Sequence, residues 1–133
     1  MKRLLLASMM ALFVVASGFA KTHYKILYSA EQNVQTKVYI NKLHEVNISI
    51  VRDGDERMVI DGKAYNLSNK VVTDNELYHA EQYDATDLAG RTYIVSFKHM
   101  KGVDAAIEYQ IVFFSTNDIY NWTYYISEKP VEI

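Results

Sequence analysis

Hydrophobic and polar residues alternate along most of the chain beyond residue 20. Val46, Ile48 and Ile50, for example, are separated by Asn47 and Ser49. A repeat of two residues is typical of a β-strand, and no stretch of this region has the repeat of an amphipathic helix. The pattern predicts an all-β domain. Its extended runs cover residues 24–29, 34–41, 46–50, 57–60, 63–67, 77–83, 91–100, 105–115 and 119–127.

Glycine and proline lie between or after these runs. Asp61-Gly62 separates two of them, and Asp-Gly is favoured in a two-residue type I′ turn because both central residues need a positive φ angle. Residues 57–67 are therefore a predicted β-hairpin. The other glycines after residue 20, at positions 54, 90 and 102, also fall at predicted turns. Pro130 follows the last run, where a missing N–H group interrupts no sheet.

The runs predict about eight or nine antiparallel strands in a meander, which must close or fold over to protect its edges. A small lipocalin-like barrel and a two-sheet sandwich both meet this requirement. We favour the barrel because nearly every connection is hairpin-sized, whereas a Greek-key sandwich needs a long crossing connection. An outer-membrane barrel is a poor alternative, because charged residues interrupt the alternation in mid-strand. These residues are Lys37, Glu81, Lys98 and Glu108.

Residues 1–20 have the pattern of a secretory signal peptide. Lys2 and Arg3 precede an apolar run over residues 4–15, and Gly18 and Ala20 provide small residues at a cleavage site. Cleavage after Ala20 would leave residues 21–133 as a single all-β domain. We expect that domain to be periplasmic or secreted, with no stable membrane insertion after cleavage.

Composition narrows the possible functions. The chain has no cysteine, so an exported domain would depend on its core and on sheet closure rather than on disulfides. The same absence excludes a thiol nucleophile and a thiolate metal site. Without Lys2 and Arg3 the domain has 12 basic and 16 acidic residues, a net charge of −4. A mildly acidic domain is a poor candidate for a nucleic-acid partner.

No motif of catalysis or cofactor binding is found in the sequence. The four histidines share no metal-ligand spacing, and serine-nucleophile motifs and phosphate-binding glycine loops are missing. The best metal candidate joins His79 and Glu81 with Asp84 or Asp87, but a single imidazole with carboxylates makes a poor zinc site. We therefore expect no metal, no cofactor and no enzyme activity. A carboxylate-dependent hydrolase that uses the acidic residues is a lesser alternative.

One segment of the chain is strongly biased in charge. Residues 74–87 carry five acidic groups and no Lys or Arg. Such a segment is either a solvated face or an acidic loop that complements the basic cleft of a cell-wall-active enzyme. In the second case Asp84 and Asp87 would supply charge, and Tyr78 and Tyr83 would serve as anchors. The alternative hypothesis for function is therefore a periplasmic protein inhibitor or immunity factor.

The size of the chain, its export signal and the strands around residues 60–65 resemble the small periplasmic inhibitors of lysozyme. Those inhibitors use a Ser-Gly-x-x-Tyr loop and commonly a disulfide, and residues 21–133 contain neither. The resemblance therefore assigns no functional residue in this chain.

Tyrosine is the most distinctive residue type, with 11 in the chain. In the last run Tyr120, Trp122 and Tyr124 share one face. Such a face is typical of a packed core, and we expect the Trp122 face to point inward. It also has the composition of a recognition surface, because Tyr and Trp bring large contact areas at low entropic cost.

The leading hypothesis is an exported, non-enzymatic binding protein for a small apolar or glycan ligand, bound at a barrel mouth or on an aromatic face. In residues 105–115 we expect the apolar row of Ala105, Ile107, Tyr109, Ile111 and Phe113 to point inward, which leaves Val112 and Phe114 as a candidate outward patch. The predicted ligand- or partner-binding residues are Tyr78, Tyr83, Asp84, Asp87, Tyr120, Trp122 and Tyr124.

Overall fold

A computed structural model describes residues 20–133, and these residues form nine β-strands and one short 3-10 helix, Ala105–Ile107. The strands are β1 Lys21–Asn33, β2 Tyr39–Asp53, β3 Arg57–Ile60, β4 Lys63–Asp74, β5 Tyr78–Asp87, β6 Thr92–Met100, β7 Tyr109–Ser115, β8 Asn121–Ser127 and β9 Val131–Glu132. The predicted all-β class is confirmed. The predicted signal peptide lies outside the described residues except for Ala20. In the part of the chain that the structure describes, no helix has the length and apolar content of a bilayer span.

Eight of the strands form a closed antiparallel barrel. Each strand from β1 to β7 pairs with the next one along the chain, and β8 pairs with β1, where Tyr124 lies opposite Ala30. The two-residue β9 adds to the start of β1, with Glu132 opposite Thr22. The small lipocalin-like barrel is therefore confirmed, and the two-sheet sandwich is not formed.

β1 is the strand that closes the barrel. It pairs with β2 from Lys21 to Gln32 and with β8 from Ile26 to Asn33. A β-bulge between Ile26 and Tyr28 interrupts both ladders. Because a bulge bends a strand and increases its twist, it allows β1 to follow the curvature of the closed sheet.

The inward side chains fill the barrel. Ile26, Ile50, Met58, Ala85 and Val95 are completely buried. The other members of the core are Tyr24, Ile60, Tyr65, Leu67, Tyr83, Phe97 and Ile111. Burial of one large apolar side chain contributes roughly 1.5–3 kcal/mol. This core therefore supplies the stability that many small exported domains obtain from disulfides.

β3 is the shortest strand of the barrel, with four residues. It pairs only with residues 50–53 of β2 and 63–66 of β4. Residues 39–48 of β2 are consequently paired with β1 alone, and residues 68–74 of β4 with β5 alone.

Several strands are longer than predicted. Residues 31–33, which precede the run predicted over 34–41, belong to β1 because they pair with β8, and the break lies instead at residues 34–38, between β1 and β2. Residues 68–74 and 84–87, predicted as irregular, extend β4 and β5. These segments are largely polar and show no alternation of hydrophobic residues. Their backbone groups nevertheless pair with the neighbouring strands.

The run predicted over residues 105–115 is shorter than expected at its start. Ala105 and Ile107 lie in the 3-10 helix, which begins after Asp104 because that carboxylate accepts a hydrogen bond from the N–H of Ala106. Ile111 and Phe113 face the core as predicted, whereas Ala105 and Ile107, expected on the same inward face, are exposed.

The predicted hairpin at Asp61-Gly62 is confirmed. Ile60 pairs with Lys63, and the φ angles of Asp61 and Gly62 are 48° and 88°. Both values lie in the region that a type I′ turn requires.

We expect Gly62→Ala to lower the free energy of unfolding by roughly 1 kcal/mol, because a Cβ atom disfavours the left-handed backbone region. Steric contact is not the reason, since no atom lies within 4 Å of the added Cβ. Urea unfolding followed by circular dichroism measures the change. Gly62→Asn is the matched control and should cost less, because Asn tolerates this region better. Equal losses for the two variants would contradict the explanation.

Candidate functional site

A groove crosses the outer surface of β5, β6 and β7. Its floor consists of Ala80, Ser96 and Val112, which point outward and yet are only 4%, 8% and 4% exposed. Ser96 lies opposite Gln82 on one side and Val112 on the other. Because the floor side chains are short and those around them are long, this part of the surface is concave, with a volume of about 300 Å³.

Aromatic rings border the groove. Tyr78 of β5 lies at one side with Lys98, whose Nζ is 4.8 Å from the centroid of the Tyr78 ring. Phe114 of β7 and Trp122 of β8 lie at the other side, stacked with centroids 5.0 Å apart and planes 6° from parallel. The indole Nε1 donates a hydrogen bond to the carbonyl oxygen of Ile119 at 2.8 Å. This bond and the stacking fix the orientation of the Trp122 ring.

Polar side chains lie between these rings. Thr73, Gln82 and Ser96 all line the groove. Their side chains make no hydrogen bond to any group of residues 20–133. Buried polar groups normally have a hydrogen-bond partner, and the Ser96 hydroxyl is among the buried ones. The groove therefore offers donors and acceptors as well as apolar ring surface.

The prediction that the Trp122 face points inward is wrong. Tyr125 of the same strand packs against the core, so alternation places Trp122 and Tyr124 on the outer side. The ring of Tyr124 lies beside that of Trp122, with centroids 6.2 Å apart. Val112 and Phe114 lie on the outer side, as predicted. The groove thus combines the aromatic face of β8 with the predicted outward patch of β7.

Four other predicted binding residues do not line the groove: Tyr83, Asp84, Asp87 and Tyr120. Tyr83, proposed as an anchor, is 1% exposed and belongs to the core. Asp87, proposed to supply surface charge, is 4% exposed. Tyr120 is exposed but lies in the connection between β7 and β8 and does not line the groove. Only Tyr78 and Trp122 of the predicted set line it, with Tyr124 adjacent.

The acidic segment at residues 74–87 is not an open loop. Most of it is strand β5, which is hydrogen-bonded on both sides. Four of its five carboxylates have partners at short distances. The pairs are Asp74 with Lys101 at 2.8 Å, Glu81 with Arg52 at 2.8 Å, Asp84 with Asn69 at 2.6 Å and Asp87 with Arg91 at 2.9 Å. Because much of the charge is already compensated, the segment gives the inhibitor hypothesis little support.

The carboxylates of this segment also do not converge. Glu81 lies at one barrel mouth beside Arg52, and Asp84 points to the outer face. Asp87 follows Glu81 by six residues, which is about 20 Å along the strand. A carboxylate-dependent hydrolase needs two such groups around one bond. Within residues 20–133 there is also no group of three His, Cys, Asp or Glu residues arranged to hold a metal.

Asp87 has a structural role at the other end of the barrel. Its carboxylate accepts hydrogen bonds from the N–H groups of Ala89 and Arg91, from the Arg91 guanidinium and from the Tyr93 hydroxyl. Burial by itself would raise the pKa of the carboxyl group, but the hydrogen bonds, led by the backbone N–H of Arg91, lower it to about 2. The carboxylate therefore fixes the turn between β5 and β6 in its charged form.

This lowered pKa predicts a pH dependence of stability. The contribution of Asp87 is fully present above the ordinary pKa of 3.8 and is lost as the pH falls toward the folded-state pKa of about 2. We expect Asp87→Asn to be less stable than the parent at neutral pH, with the difference shrinking between about pH 4 and pH 2. Urea unfolding across this range measures it, with Asp84→Asn as the control for loss of a charge. A difference that stays constant down to pH 2 would contradict the assignment.

The fold and the groove define the class of protein: a small lipocalin-like barrel with a filled interior and an aromatic-sided groove on its outer surface. Comparison of the chain with protein-family models, with curated proteins and with solved structures gives no match.

Proposed function

We propose that the protein is an exported, non-enzymatic binding protein that recognises a glycan chain in the outer groove. The observation that carries this proposal is the combination of fixed aromatic rings with unpaired polar side chains around a floor of short residues. Its export is proposed from the pattern of residues 1–20.

The rings suit a sugar because the ring of a hexose has apolar C–H faces that pack flat against an aromatic surface. The stacked pair of Phe114 and Trp122 presents such a surface, and Tyr78 presents another across the floor. Rings that are already oriented lose little conformational freedom when a ligand binds. This arrangement favours a stacked ligand over one that inserts between side chains.

The polar groups favour a glycan over a purely apolar ligand. A wholly apolar ligand would cover the Ser96 hydroxyl and the Gln82 amide without bonding them, and an unsatisfied buried group costs roughly 1–3 kcal/mol. Sugar hydroxyls can both donate to and accept from these side chains. Lys98 and Thr73 provide further hydrogen-bonding groups at the border.

The barrel interior is a poorer candidate for the same role. The bulky side chains of Tyr83, Ile26, Ile50 and Met58 occupy it and are less than 2% exposed. A ligand inside the barrel would have to displace them. Since removal of one large core side chain costs roughly 2–5 kcal/mol, an outer site requires far less reorganisation.

Trp122 provides a direct assay because it is the only tryptophan in the chain. We expect soluble oligosaccharides such as chitotetraose or cellotetraose to change its fluorescence in a saturable way. Phe114→Ala should weaken the binding by roughly 1 kcal/mol, about fivefold, through loss of the stacked ring. Ser96→Ala should weaken it by removing the hydroxyl group while leaving the shape of the floor nearly unchanged.

Tyr120→Ala is the matched control, because Tyr120 is an exposed aromatic residue outside the groove. The affinity of the Tyr120→Ala variant for the oligosaccharides should equal that of the parent. If the oligosaccharides leave the fluorescence unchanged while an apolar probe such as octanol alters it, the glycan proposal fails and an apolar ligand takes its place. Binding that is insensitive to Phe114→Ala and Ser96→Ala would place the site elsewhere.

A further inference from the structure

A second concave site lies at the mouth of the barrel that is formed by the ends of β2, β5 and β6. It has a volume of about 160 Å³. Arg52 lies at its base, the rings of Tyr24, Phe97 and Tyr109 form apolar walls, and Pro130 covers one side. The site borders the core, to which Tyr24 and Phe97 belong, and its lining combines one guanidinium with several apolar surfaces.

The Arg52 guanidinium is unusually buried for an arginine, with 16% of its side chain exposed. Its Nη1 donates to Glu81 Oε1 at 2.8 Å and to the Tyr83 hydroxyl at 3.3 Å. Its carbon Cζ lies over the Phe97 ring, 4.6 Å from the centroid. These contacts hold the planar group in one orientation against the barrel wall.

The other edge of the guanidinium has no protein partner. Within residues 20–133 no side chain or carbonyl accepts a hydrogen bond from Nε or Nη2 of Arg52. A guanidinium has five N–H donors, and the Nε–Nη2 edge is one that can bind a carboxylate with two parallel hydrogen bonds. A buried arginine normally uses these donors, so their lack of a partner points to a ligand.

Nearby acidic groups are already occupied. Glu81 Oε2 is approached by Lys70 Nζ at 3.8 Å and by His79 Nε2 at 3.7 Å, in addition to the bond from Arg52 to Oε1. At the other side of the mouth, Glu108 accepts from His99 at 2.6 Å, and the His99 ring stacks on Tyr109. The carboxylates around the mouth are therefore not available to complete the second edge of Arg52.

We propose that this mouth binds a small organic carboxylate with an apolar body. The carboxylate pairs with the Nε–Nη2 edge of Arg52, and the apolar body packs between the rings of Tyr24, Phe97 and Tyr109. The small volume restricts the ligand to about the size of one aromatic ring with its acid group. This site is distinct from the outer groove and does not depend on the glycan proposal.

Benzoate tests the proposal, with benzyl alcohol as a probe of similar shape and no charge. Titration followed by heteronuclear NMR is expected to shift the signals of His79, His99 and Tyr109, with benzoate at least fivefold tighter than benzyl alcohol. Arg52→Lys keeps the charge but loses the planar fork, and we expect it to weaken benzoate binding at least fivefold. Equal affinities for the two probes would overturn the proposal.

Glu81→Gln tests whether Arg52 binds the ligand or only forms a structural ion pair with Glu81. It removes the negative charge beside the guanidinium, so benzoate should bind at least twofold more tightly, whereas a merely structural pair would give no gain. Glu45→Gln, the same change on the exposed part of β2, is the control. Unchanged or weaker benzoate binding in a folded Glu81→Gln variant would overturn the proposal. The response of Trp122 to oligosaccharides should be unaffected by Arg52→Lys, so the two proposals can fail independently.

Discussion

The pairing of β1 with both β2 and β8 is the interaction on which the rest of the structure depends. It joins the two ends of the meander, as where Ala30 meets Tyr124, so within residues 20–133 none of the eight barrel strands is an edge strand along its whole length. Closure also surrounds the inward side chains with backbone on every side. In a chain without cysteine, this enclosure replaces covalent cross-links as the source of a fixed shape. The entropic cost of bringing distant strands together grows only slowly with their separation along the chain.

Closure also restricts where a ligand can bind. The interior of an eight-stranded barrel is just wide enough for its own side chains, and here residues such as Tyr83 and Met58 occupy it. The outside of a barrel is convex, so a concave site there has to be created by differences in side-chain size. Ala80, Ser96 and Val112 create it on the outer face. At the mouth, a long inward side chain, Arg52, lines the concave site.

The fold was predictable because alternation and turn residues are local signals. The Asp61-Gly62 turn needs no knowledge of the rest of the chain, and short connections favour a closed meander. The site was less predictable because β8 has aromatic residues on both faces, so its own sequence does not decide whether Trp122 or Tyr125 points inward. Pairing with β7 decides it. Arg52 was not identified from the sequence as a site residue. Ile48 and Ile50 lie four and two residues before it, on the same face of β2, and this spacing indicates an inward arginine.

The short β3 has a consequence for motion. Strands β5 and β6 are hydrogen-bonded on both sides along almost their whole length, whereas residues 39–48 of β2 are paired on one side only. Backbone segments with fewer hydrogen bonds and more exposure open more readily. We therefore expect local opening to be concentrated around β2 and β3, and the floor of the groove to open later. Fluctuation on one side of the barrel would then leave the surface on the other side unchanged.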